Sequence, residues 1–360
     1  MNKLDDARKK INLIDEEIAK LFEERMNASK AVAEYKLEHG LPIFDGNREN
    51  EVIKRNSALI EDETIKEYYI SFLKETMNIS KKYQSRIIEG IKVAYSGVEG
   101  AFAYIAAKKM FPNATYVSYH DFEETYQSVE KGLCDVCVLP LENSFAGEVG
   151  VVMDLLFSGS LYINQVIELE VVQNLLAKSG TTLSDIKKVI SHPQAINQCA
   201  QFINKHKFET SEVENTALAA QMVSKSLDKN IAAIASSDTA ELYGLEVIES
   251  NINEKRNNTT RFGAFTRCLN NTNKNQMNSQ FILVFTVKNE AGALAKTLNI
   301  IGSYGFNMRS LRSRPMKELL WNYYFYAELE GDINSNNGIE MLRALQVFCD
   351  KLKIVGTYTI

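Results

Sequence analysis

The chain has 360 residues, of which 45% are hydrophobic and 24% are charged, so its length suits two or three globular domains. Its formal net charge of −5 provides no basic field for binding nucleic acid. There is no apolar stretch of the roughly 18 residues that cross a bilayer, and no signal-peptide core, so we expect a cytoplasmic protein that binds neither nucleic acid nor a membrane.

Residues 1–88 have the pattern of an all-helical domain. Apolar residues recur at steps of three and four over residues 4–37, which predicts a first helix roughly 50 Å long at 1.5 Å per residue. The helix breakers in HGLPIFDGN end it. A second helix is predicted from about residue 48, and a third over residues 64–84.

Arg25 occupies a position in the apolar seam of the first helix. An isolated arginine there could reach the helix edge with its charge, or set the register of an oligomer. Lys36 lies three turns later on nearly the same face, and Ser80 and Gln84 lie one turn apart on the inward face of the third helix. Buried cations need anionic partners. Glu49 can balance one of these charges, so the excess positive charge suits a small ligand with several anionic groups.

This set of residues resembles the active site of the all-helical chorismate mutases. The resemblance covers residues 1–88 and rests on the type and spacing of Arg8, Arg25, Lys36, Asp45, Arg48, Glu49, Ser80 and Gln84. It implies that Arg25 and Arg8 hold the two carboxylates of the substrate, chorismate. Lys36 and Gln84 would then contact its ether oxygen, with Arg48 and Glu49 around the ring and Asp45 and Ser80 as further binding residues. It also implies an intertwined dimer, in which Arg8 reaches the site of the partner. The reaction is a pericyclic rearrangement to prephenate, which needs neither a nucleophile nor a metal.

From residue 91 short β-branched runs alternate with helical stretches, a pattern typical of an α/β domain with largely parallel sheets. The predicted strands cover residues 92–95, 115–119, 137–139, 188–190 and 231–234. Residues 166–177 predict a crossing between two lobes. Five scattered cysteines fit reduced thiols, and the pair Cys134 and Cys137 stands alone in the apolar stretch GLCDVCVLP. A buried strand explains this pair better than metal or redox chemistry, so we expect no metal and no cofactor.

Five short stretches stand out in this region: the glycine-rich turn YSGVEGAFAYIAA, and LPLENSFAGEV, SHPQAINQC, ENTALAA and NNTTRFGAF. Glu142, Asn143 and Ser144 follow a predicted strand, at the edge where open α/β sheets bind ligands. Ser191 is predicted to cap a helix on which Gln194 and Gln198 share a face. Thr260 begins a strand in NNTTRFGAF. Singly, each stretch is explained by a cap, a turn or an exposed strand start.

Together and in this order, the ENS, SHPQ and TRF motifs resemble prephenate dehydratase over residues 91–268. The resemblance implies two lobes like those of a periplasmic binding protein, with the site in the cleft, and Thr260 as the central catalytic residue. Glu142 is a candidate proton source, and Arg261 would serve a substrate carboxylate or brace its strand. The remaining substrate-binding candidates are Asn143, Ser144, Ser191, Gln198 and Phe262. Ala103 stands where a serine is usual, so one hydroxyl is missing.

The polar stretch of residues 270–280 predicts a linker to a C-terminal α+β unit of residues 281–360. Its predicted order is βαββαβ, as in ferredoxin-like folds, with strands at 281–287, 307–313, 320–329 and 354–360 and helices at 292–304 and 338–352. NEAGALAKT and RSRP resemble an ACT regulatory domain that senses phenylalanine. The resemblance implies an effector site with Gly292, Ala293, Leu294 and Arg314. Arg312 stands where a glutamate is usual, so we expect weakened inhibition. The alternative is a structural module that only dimerises.

Taken together, the three resemblances imply a bifunctional enzyme of phenylalanine biosynthesis. Its substrates are chorismate and prephenate, its product is phenylpyruvate, its effector is phenylalanine, and it forms a homo-oligomer, either a dimer or a tetramer. One alternative is a catalytically inactive cytosolic sensor of aromatic metabolites, which would not need Thr260 or the charges of the helical domain. A mutase fused to a prephenate dehydrogenase would need a GxGxxG motif, and none follows residue 88 at the expected place.

Overall fold

A computed structural model describes residues 2–254, 258–269, 279–316 and 322–359. The chain divides into two units, Met1–Lys92 and Val93–Ile360. The first unit is helical, with α1 (Lys3–His39), α2 (Gly46–Ser57) and α3 (Glu63–Glu89), so the three predicted helices are confirmed. Asn2, Asp45 and Asp62 each accept a hydrogen bond from a backbone N–H in the first turn that follows. These caps explain where the helices begin.

Most apolar side chains of α1 are exposed in a single chain. Within the described part of this helix only Ser29 and Ala33 are buried, although its sequence has the seam of a core helix. The large apolar residues of α1 with exposed side chains are Leu4, Ile11, Leu13, Ile14, Ile18, Leu21, Phe22, Val32, Tyr35 and Leu37. So many exposed large apolar side chains on one helix are typical of an interaction surface.

The second unit contains two lobes, and the chain passes between them twice. The first lobe consists of β1 (Lys92–Ser96), α4 (Phe102–Met110), β2 (Thr115–Tyr119), α5 (Phe122–Glu130), β3 (Val136–Asn143), β4 (Gly147–Glu148), α6 (Gly150–Ser158) and β5 (Tyr162–Glu170). The second consists of β6 (Asn174–Ala177), β7 (Lys188–Ser191), α7 (Pro193–Gln198), α8 (Ala200–His206), β8 (Glu209–Glu212), α9 (Thr216–Lys225), β9 (Ile231–Ala235), α10 (Ser237–Tyr243) and β10 (Glu246–Glu249). The chain then returns to the first lobe as β11 (Thr259–Thr266).

The sheets of the two lobes are mixed rather than largely parallel. In the first lobe the strand order is β5-β11-β3-β1-β2, and β11 is antiparallel to both β5 and β3. In the second lobe the order is β10-β6-β9-β7-β8, where β6 is antiparallel to both neighbours. The prediction of parallel sheets was wrong here because the crossing segments themselves become strands. The predicted crossing is confirmed, since the chain leaves β5 at Glu170 and enters β6 at Asn174.

Buried apolar clusters hold each lobe together. Leu175, Val189 and Ile234 belong to one cluster of the second lobe, and Leu176 and Ile190 to another on the opposite face of the same sheet. Cys134 and Cys137 of the CxxC stretch are free thiols and both are buried, as the prediction of a buried strand requires. Burial raises the pKa of the Cys137 thiol well above its usual value. None of the described helices combines the length and the apolar composition of a membrane-spanning segment.

The C-terminal elements follow one another in the order βαββαβ. They are β12 (Ser279–Val287), α11 (Ala293–Ser303), β13 (Asn307–Pro315), β14 (Tyr323–Glu330), α12 (Asn336–Phe348) and β15 (Cys349–Thr359). The last helix ends earlier than predicted because residues 351–353 pair with β12 as a strand. Residues 270–278 of the predicted linker and the predicted strand start at residue 320 lie outside the described residues.

The C-terminal strands extend the sheet of the first lobe. Their order is β13-β14-β12-β15, and β15 pairs in parallel with β5 where Gly356 lies opposite Ile163. A Cβ at residue 356 would lie 2.7 Å from the Ile163 carbonyl oxygen, so only glycine permits this approach. The buried residues Leu156 of α6 and Ile282 of β12 belong to one core cluster shared by the two parts.

Candidate functional sites

Arg25 and Ser80 meet between α1 and α3, as the sequence predicted. The Arg25 guanidinium donates hydrogen bonds to the Ser80 hydroxyl and, at 3.3 Å, to the carbonyl oxygen of Thr76. Both acceptors are neutral, and among the described residues no ion pair joins Arg25 to a carboxylate. Burial lowers the pKa of Arg25. A half-buried cation with neutral partners is suited to binding an anion.

A second contact lies one turn further along both helices. The Gln84 side-chain nitrogen donates to the Ser29 hydroxyl at 3.1 Å, and both residues are buried. The side-chain oxygen of Gln84 is buried and has no hydrogen-bond partner among the described residues. Sequence reasoning missed Ser29, although its position four residues after Arg25 places it on the same face of α1.

The other predicted residues of the helical unit do not join the contacts of Arg25 and Gln84. Lys36 donates to the Ile43 carbonyl oxygen at 2.6 Å, and Glu49 forms an ion pair with Lys81 at 2.8 Å. A cavity of about 420 Å³ between α2 and α3 is lined by Glu49 and Lys81 but not by Arg25 or Gln84. A single chain therefore brings together only part of the predicted site.

Three further candidates have local partners or lie far away. The Asp45 carboxylate caps α2 by accepting from the Arg48 N–H at 3.0 Å, and the Arg48 guanidinium pairs with Glu51 at the exposed surface. Arg8 precedes Arg25 by 17 positions, so it lies about 25 Å away along α1 at 1.5 Å per residue. Arg8 therefore cannot reach the Arg25 pocket of its own chain.

In the second unit, Asn143 and Thr260 lie opposite each other at the ends of β3 and β11. The Asn143 side-chain nitrogen donates to the Thr260 hydroxyl at 2.9 Å and to the Asn258 side-chain oxygen at 2.8 Å. The Asn143 side-chain oxygen accepts from the N–H groups of Phe145 and Ala146. Because the Thr260 oxygen accepts from Asn143, its own O–H remains available as a donor.

Asn258 extends this network across the cleft. Its side-chain nitrogen donates to the Gln198 side-chain oxygen on α7 at 3.1 Å. Gln198 belongs to the second lobe, whereas Asn143 and Thr260 belong to the first. Asn258 was missed because neither asparagine of NNTTRFGAF has a distinguishing spacing. The chain of hydrogen bonds links motifs from both lobes at one place.

Two adjoining cavities occupy the cleft. One, of about 330 Å³, is lined by residues of both lobes that include Asn143, Thr260, Phe262 and Gln198. The other, of about 550 Å³, shares His192, Gln194, Gln198 and Asn258 with the first. These sizes are typical of small-molecule sites. His192 was not singled out from the sequence, and its Nδ1 accepts from the Gln194 N–H. Burial lowers the pKa of His192.

The N-termini of two helices lie at the cleft. The first residues of α4 and the cap of α9 line the smaller cavity, whose described lining contains no lysine or arginine. The N-terminus of a helix attracts anions through its free N–H groups and its dipole. Ala103 lies in the first turn of α4 and lines this cavity. At this position the chain therefore offers no side-chain hydroxyl to the cavity.

Glu142 and Arg261 do not line the cleft, contrary to the expectation for Glu142. They lie opposite each other one residue from Asn143 and Thr260, so their side chains point to the other face of the sheet. The Arg261 guanidinium donates to both Glu328 oxygens, at 2.9 and 2.6 Å. These hydrogen bonds raise the pKa of Arg261 above its usual value. Of the two predicted roles for Arg261, the structure agrees with bracing.

The two predicted serines have structural partners. Ser191 is fully buried at the end of β7 and donates to the Ile234 carbonyl oxygen at 2.6 Å. His192, not Ser191, is the cap of α7. The Ser144 hydroxyl accepts from the Thr259 N–H at 3.0 Å. Neither serine lines the two cleft cavities, because each hydroxyl is turned towards backbone.

The predicted effector residues fall into two groups. Gly292 caps α11 with φ +81°, a conformation that favours glycine, and Ala293 and Leu294 begin that helix. The Arg314 guanidinium instead pairs with Asp154 at 3.0 Å and Glu148 at 3.1 Å in the first lobe. The hydrogen bond to Asp154 is the main reason that the pKa of Arg314 is raised. Arg314 is therefore engaged with carboxylates of this chain.

Two family models match the chain. A model described as prephenate dehydratase matches residues 93–268. A model described as chorismate mutase type II matches residues 7–85. The two matched regions lie in different units of the structure.

Curated relatives match over nearly the full length. The bifunctional chorismate mutase/prephenate dehydratase of Aquifex aeolicus is 30% identical over 370 residues, which cover 99% of this chain and 98% of the relative. The protein of the same name from Escherichia coli K12 is 28% identical, covering 99% of this chain and 96% of the relative.

Among solved structures, similar folds cover about three quarters of this chain. A prephenate dehydratase from Staphylococcus aureus, 25% identical, covers 75% of this chain and 100% of its own with a TM-score of 0.64. A protein described as a novel type of quorum quenching acylase is 30% identical, with a TM-score of 0.69 and coverage of 74% and 97%. A prephenate dehydratase from Arthrobacter aurescens in complex with L-Phe is 24% identical, with a TM-score of 0.69 and coverage of 75% and 90%.

Proposed function

Because the chain belongs to the family of bifunctional chorismate mutase/prephenate dehydratases, we propose that it performs both reactions at separate sites. The helical unit rearranges chorismate to prephenate, and the second unit converts prephenate to phenylpyruvate. The observation that carries the proposal is the hydrogen bond between Asn143 and Thr260, which unites motifs 117 positions apart at a cleft between two lobes.

The dehydratase reaction balances without a redox partner. The ring carboxylate leaves as carbon dioxide, its electron pair passes through the ring, and the ring hydroxyl leaves as water after gaining a proton that the solvent supplies. The Thr260 O–H donates a hydrogen bond to that departing oxygen, and the bond from Asn143 strengthens Thr260 as a donor. The N-termini of α4 and α9 hold the carboxylates, and aromatic side chains such as Phe262 exclude water from the ring.

At the mutase site, Arg25 holds one carboxylate of chorismate in the folded conformation that rearranges. The Ser80 hydroxyl orients the guanidinium, and Gln84 lies within the next turn for contact with the ether oxygen. No covalent step by the protein is needed, so positioning and electrostatic stabilisation account for the rate.

The mutase site is completed by a second copy of the chain. The apolar side chains of α1 support this proposal, since they are exposed within the described part of a single chain. Arg8, which lies far from Arg25 along the same helix, would approach the partner's pocket in an antiparallel pair. The free cysteines of the described chain fit a reducing compartment, which supports a cytoplasmic location.

Feeding purified full-length protein with chorismate tests the two activities. We expect chorismate to disappear and phenylpyruvate to form, and we expect added prephenate to be converted without chorismate. Following both compounds separately distinguishes the two sites. Binding of prephenate without turnover would favour the inactive sensor of aromatic metabolites instead.

We propose that the C-terminal elements of the second unit, β12 to β15, form an ACT regulatory domain. Its βαββαβ order, its antiparallel sheet and the glycine cap of α11 support this assignment. The solved relative in complex with L-Phe suggests phenylalanine as the effector. We propose that phenylalanine binds at Gly292, Ala293 and Leu294 and inhibits the dehydratase. Because Arg314 is held by carboxylates, it is a lesser candidate for the effector site.

A phenylalanine titration tests this regulation. We expect the melting temperature to rise and prephenate turnover to fall together, with a stabilisation of about 2.7 kcal/mol at 100 times Kd. Gly292→Ala should weaken both responses because an L side chain is strained at φ +81°. D-Phenylalanine is the matched ligand control. An absence of both responses at saturating L-phenylalanine would leave the structural module as the better assignment.

A further inference from the structure

Two arginines of β13 form ion pairs with the glutamates on one face of the hairpin formed by β3 and β4. Arg312 donates to Glu142, and a second nitrogen of its guanidinium lies 3.9 Å from Glu148. Arg314 pairs with Glu148 at 3.1 Å and with Asp154 at 3.0 Å. We call these five residues the arginine clamp. Each arginine thus bridges two carboxylates, and Glu148 is shared by both.

The opposite side of the same hairpin shapes the cleft. Asn143 follows Glu142 directly and faces the smaller cavity, whereas Phe145 and Ala146 of the connecting turn line the larger one. Val149, next to Glu148, also lines the smaller cavity. Successive residues of a strand point to opposite faces, so the clamp and the cleft share one short piece of backbone.

The acidic side of this hairpin carries like charges that need compensation, to which Arg261, 4.0 Å from Glu142, contributes only in part. Glu142 and Glu148 are direct cross-strand neighbours in the hairpin. Like charges placed directly opposite destabilise a strand pair. Arg312 and Arg314 compensate these charges from a different part of the chain. The clamp is only a quarter or so exposed, with side-chain accessibilities of 20–29%, so its charges are partly shielded from solvent.

We propose that Arg312 and Arg314 are positioning residues of the dehydratase, which act through Glu142 and Glu148 on Asn143 and hence on Thr260. This inference rests on the proposed dehydratase function. The arginines touch neither cavity, so they hold the hairpin rather than the substrate. The C-terminal unit thereby contributes to the geometry of the dehydratase site, whether or not an effector is bound.

The test compares steady-state kinetics of full-length variants without phenylalanine. Arg312→Met keeps the apolar stem and removes the charge. We expect it to lower kcat for prephenate by about tenfold, as small displacements of catalytic groups do, with KM changed by less than about twofold. Arg312→Lys should restore most of the lost kcat. Chorismate rearrangement, measured in the same samples, should not change.

Arg309→Met is the matched control on the same strand. Arg309 lies 3.8 Å from Glu330 and outside the clamp, with both side chains nearly half exposed. It should leave kcat for prephenate unchanged. Glu142→Gln tests the same bridge from the other side, and the double variant Arg312→Met/Glu142→Gln should be no slower than Arg312→Met alone.

The outcomes separate the two proposals. Turnover of prephenate by the unaltered chain reports on the proposed function, and the ratios between variants report on the clamp. Wild-type kcat in both Arg312→Met and Glu142→Gln would overturn the clamp. Multiplicative losses in the double variant would also overturn it, because Arg312 would then act independently of Glu142. If Arg312→Met does not fold, Glu142→Gln decides by the same kcat criterion.

Discussion

Replacing Arg25 with alanine is expected to reduce chorismate rearrangement by at least about 10²–10³, the usual effect of removing one preorganised donor at a developing charge. The Arg25 guanidinium is half-buried and bonded to neutral oxygens, so its charge is available to a substrate carboxylate. The dehydration of added prephenate should stay within about twofold of wild type, because that site lies in the other unit. Measuring kcat/KM for both substrates on one preparation checks this.

Two further variants sharpen the Arg25 experiment. Arg25→Lys keeps the charge but loses the planar fork, so it should recover only part of the activity. Lys30→Ala removes a cation from an exposed pair with Glu34 on the same helix and should leave rearrangement unchanged. An Arg25→Ala enzyme that rearranges chorismate at a near wild-type rate would refute the assigned role.

Removing the hydroxyl of Thr260 should slow prephenate dehydration by about 10²–10⁴, the reach of a positioned proton donor. Thr260→Val has nearly the same shape. The Asn143 side-chain nitrogen also donates to Asn258, so it keeps a partner after the change. We therefore expect the fold, prephenate binding and the mutase reaction to persist. The measurement is kcat for phenylpyruvate formation, corrected for the spontaneous acid reaction.

The neighbouring threonine provides the control for this variant. Thr259 precedes Thr260 on β11 but lines neither cleft cavity. Thr259→Val should retain most of kcat, and Thr260→Ser should retain more activity than Thr260→Val. Should Thr260→Val keep most of its kcat, another group must assist the departing hydroxyl.

Contacts between residues could be predicted from the sequence where both residues belong to a motif or to a helical repeat. Arg25 and Ser80 form a hydrogen bond because each lies on the inward apolar stripe of its helix, and such stripes have the period of a helix. Asn143 and Thr260 form a hydrogen bond because their two motifs lie at the same cleft of a two-lobed fold. In both cases a repeating backbone geometry converts positions in the sequence into positions in space.

Errors arose where the face of a strand decided the outcome. Glu142 was expected at the substrate because it is adjacent to Asn143 in the sequence, yet adjacent residues of a strand point in opposite directions. The register between β3 and β11 determines which of the two faces the cleft, and register is a property of the folded sheet. A different error concerns Ser191, which was predicted as a helix cap, whereas the cap of α7 is the next residue, His192.

The partners in ion pairs could not be predicted from the sequence, for a different reason. Arg314 binds Asp154, which lies 160 positions earlier in the chain. Nothing in the composition around an arginine tells which of many carboxylates it will meet, since any acid at the right distance satisfies the charge. Only the docking of β13 against the first lobe makes that choice.

The pairing of β15 with β5 makes the region from Ser279 onwards a poor candidate for truncation. A chain ending before Ser279 would leave β5 as an uncovered edge strand, with free N–H and C=O groups beside Ile163. It would also uncover the core cluster to which Ile163 and Leu156 contribute. Such a fragment would be prone to aggregation, so loss of dehydratase activity on truncation would report on solubility as much as on regulation. Single substitutions within the intact chain avoid this ambiguity.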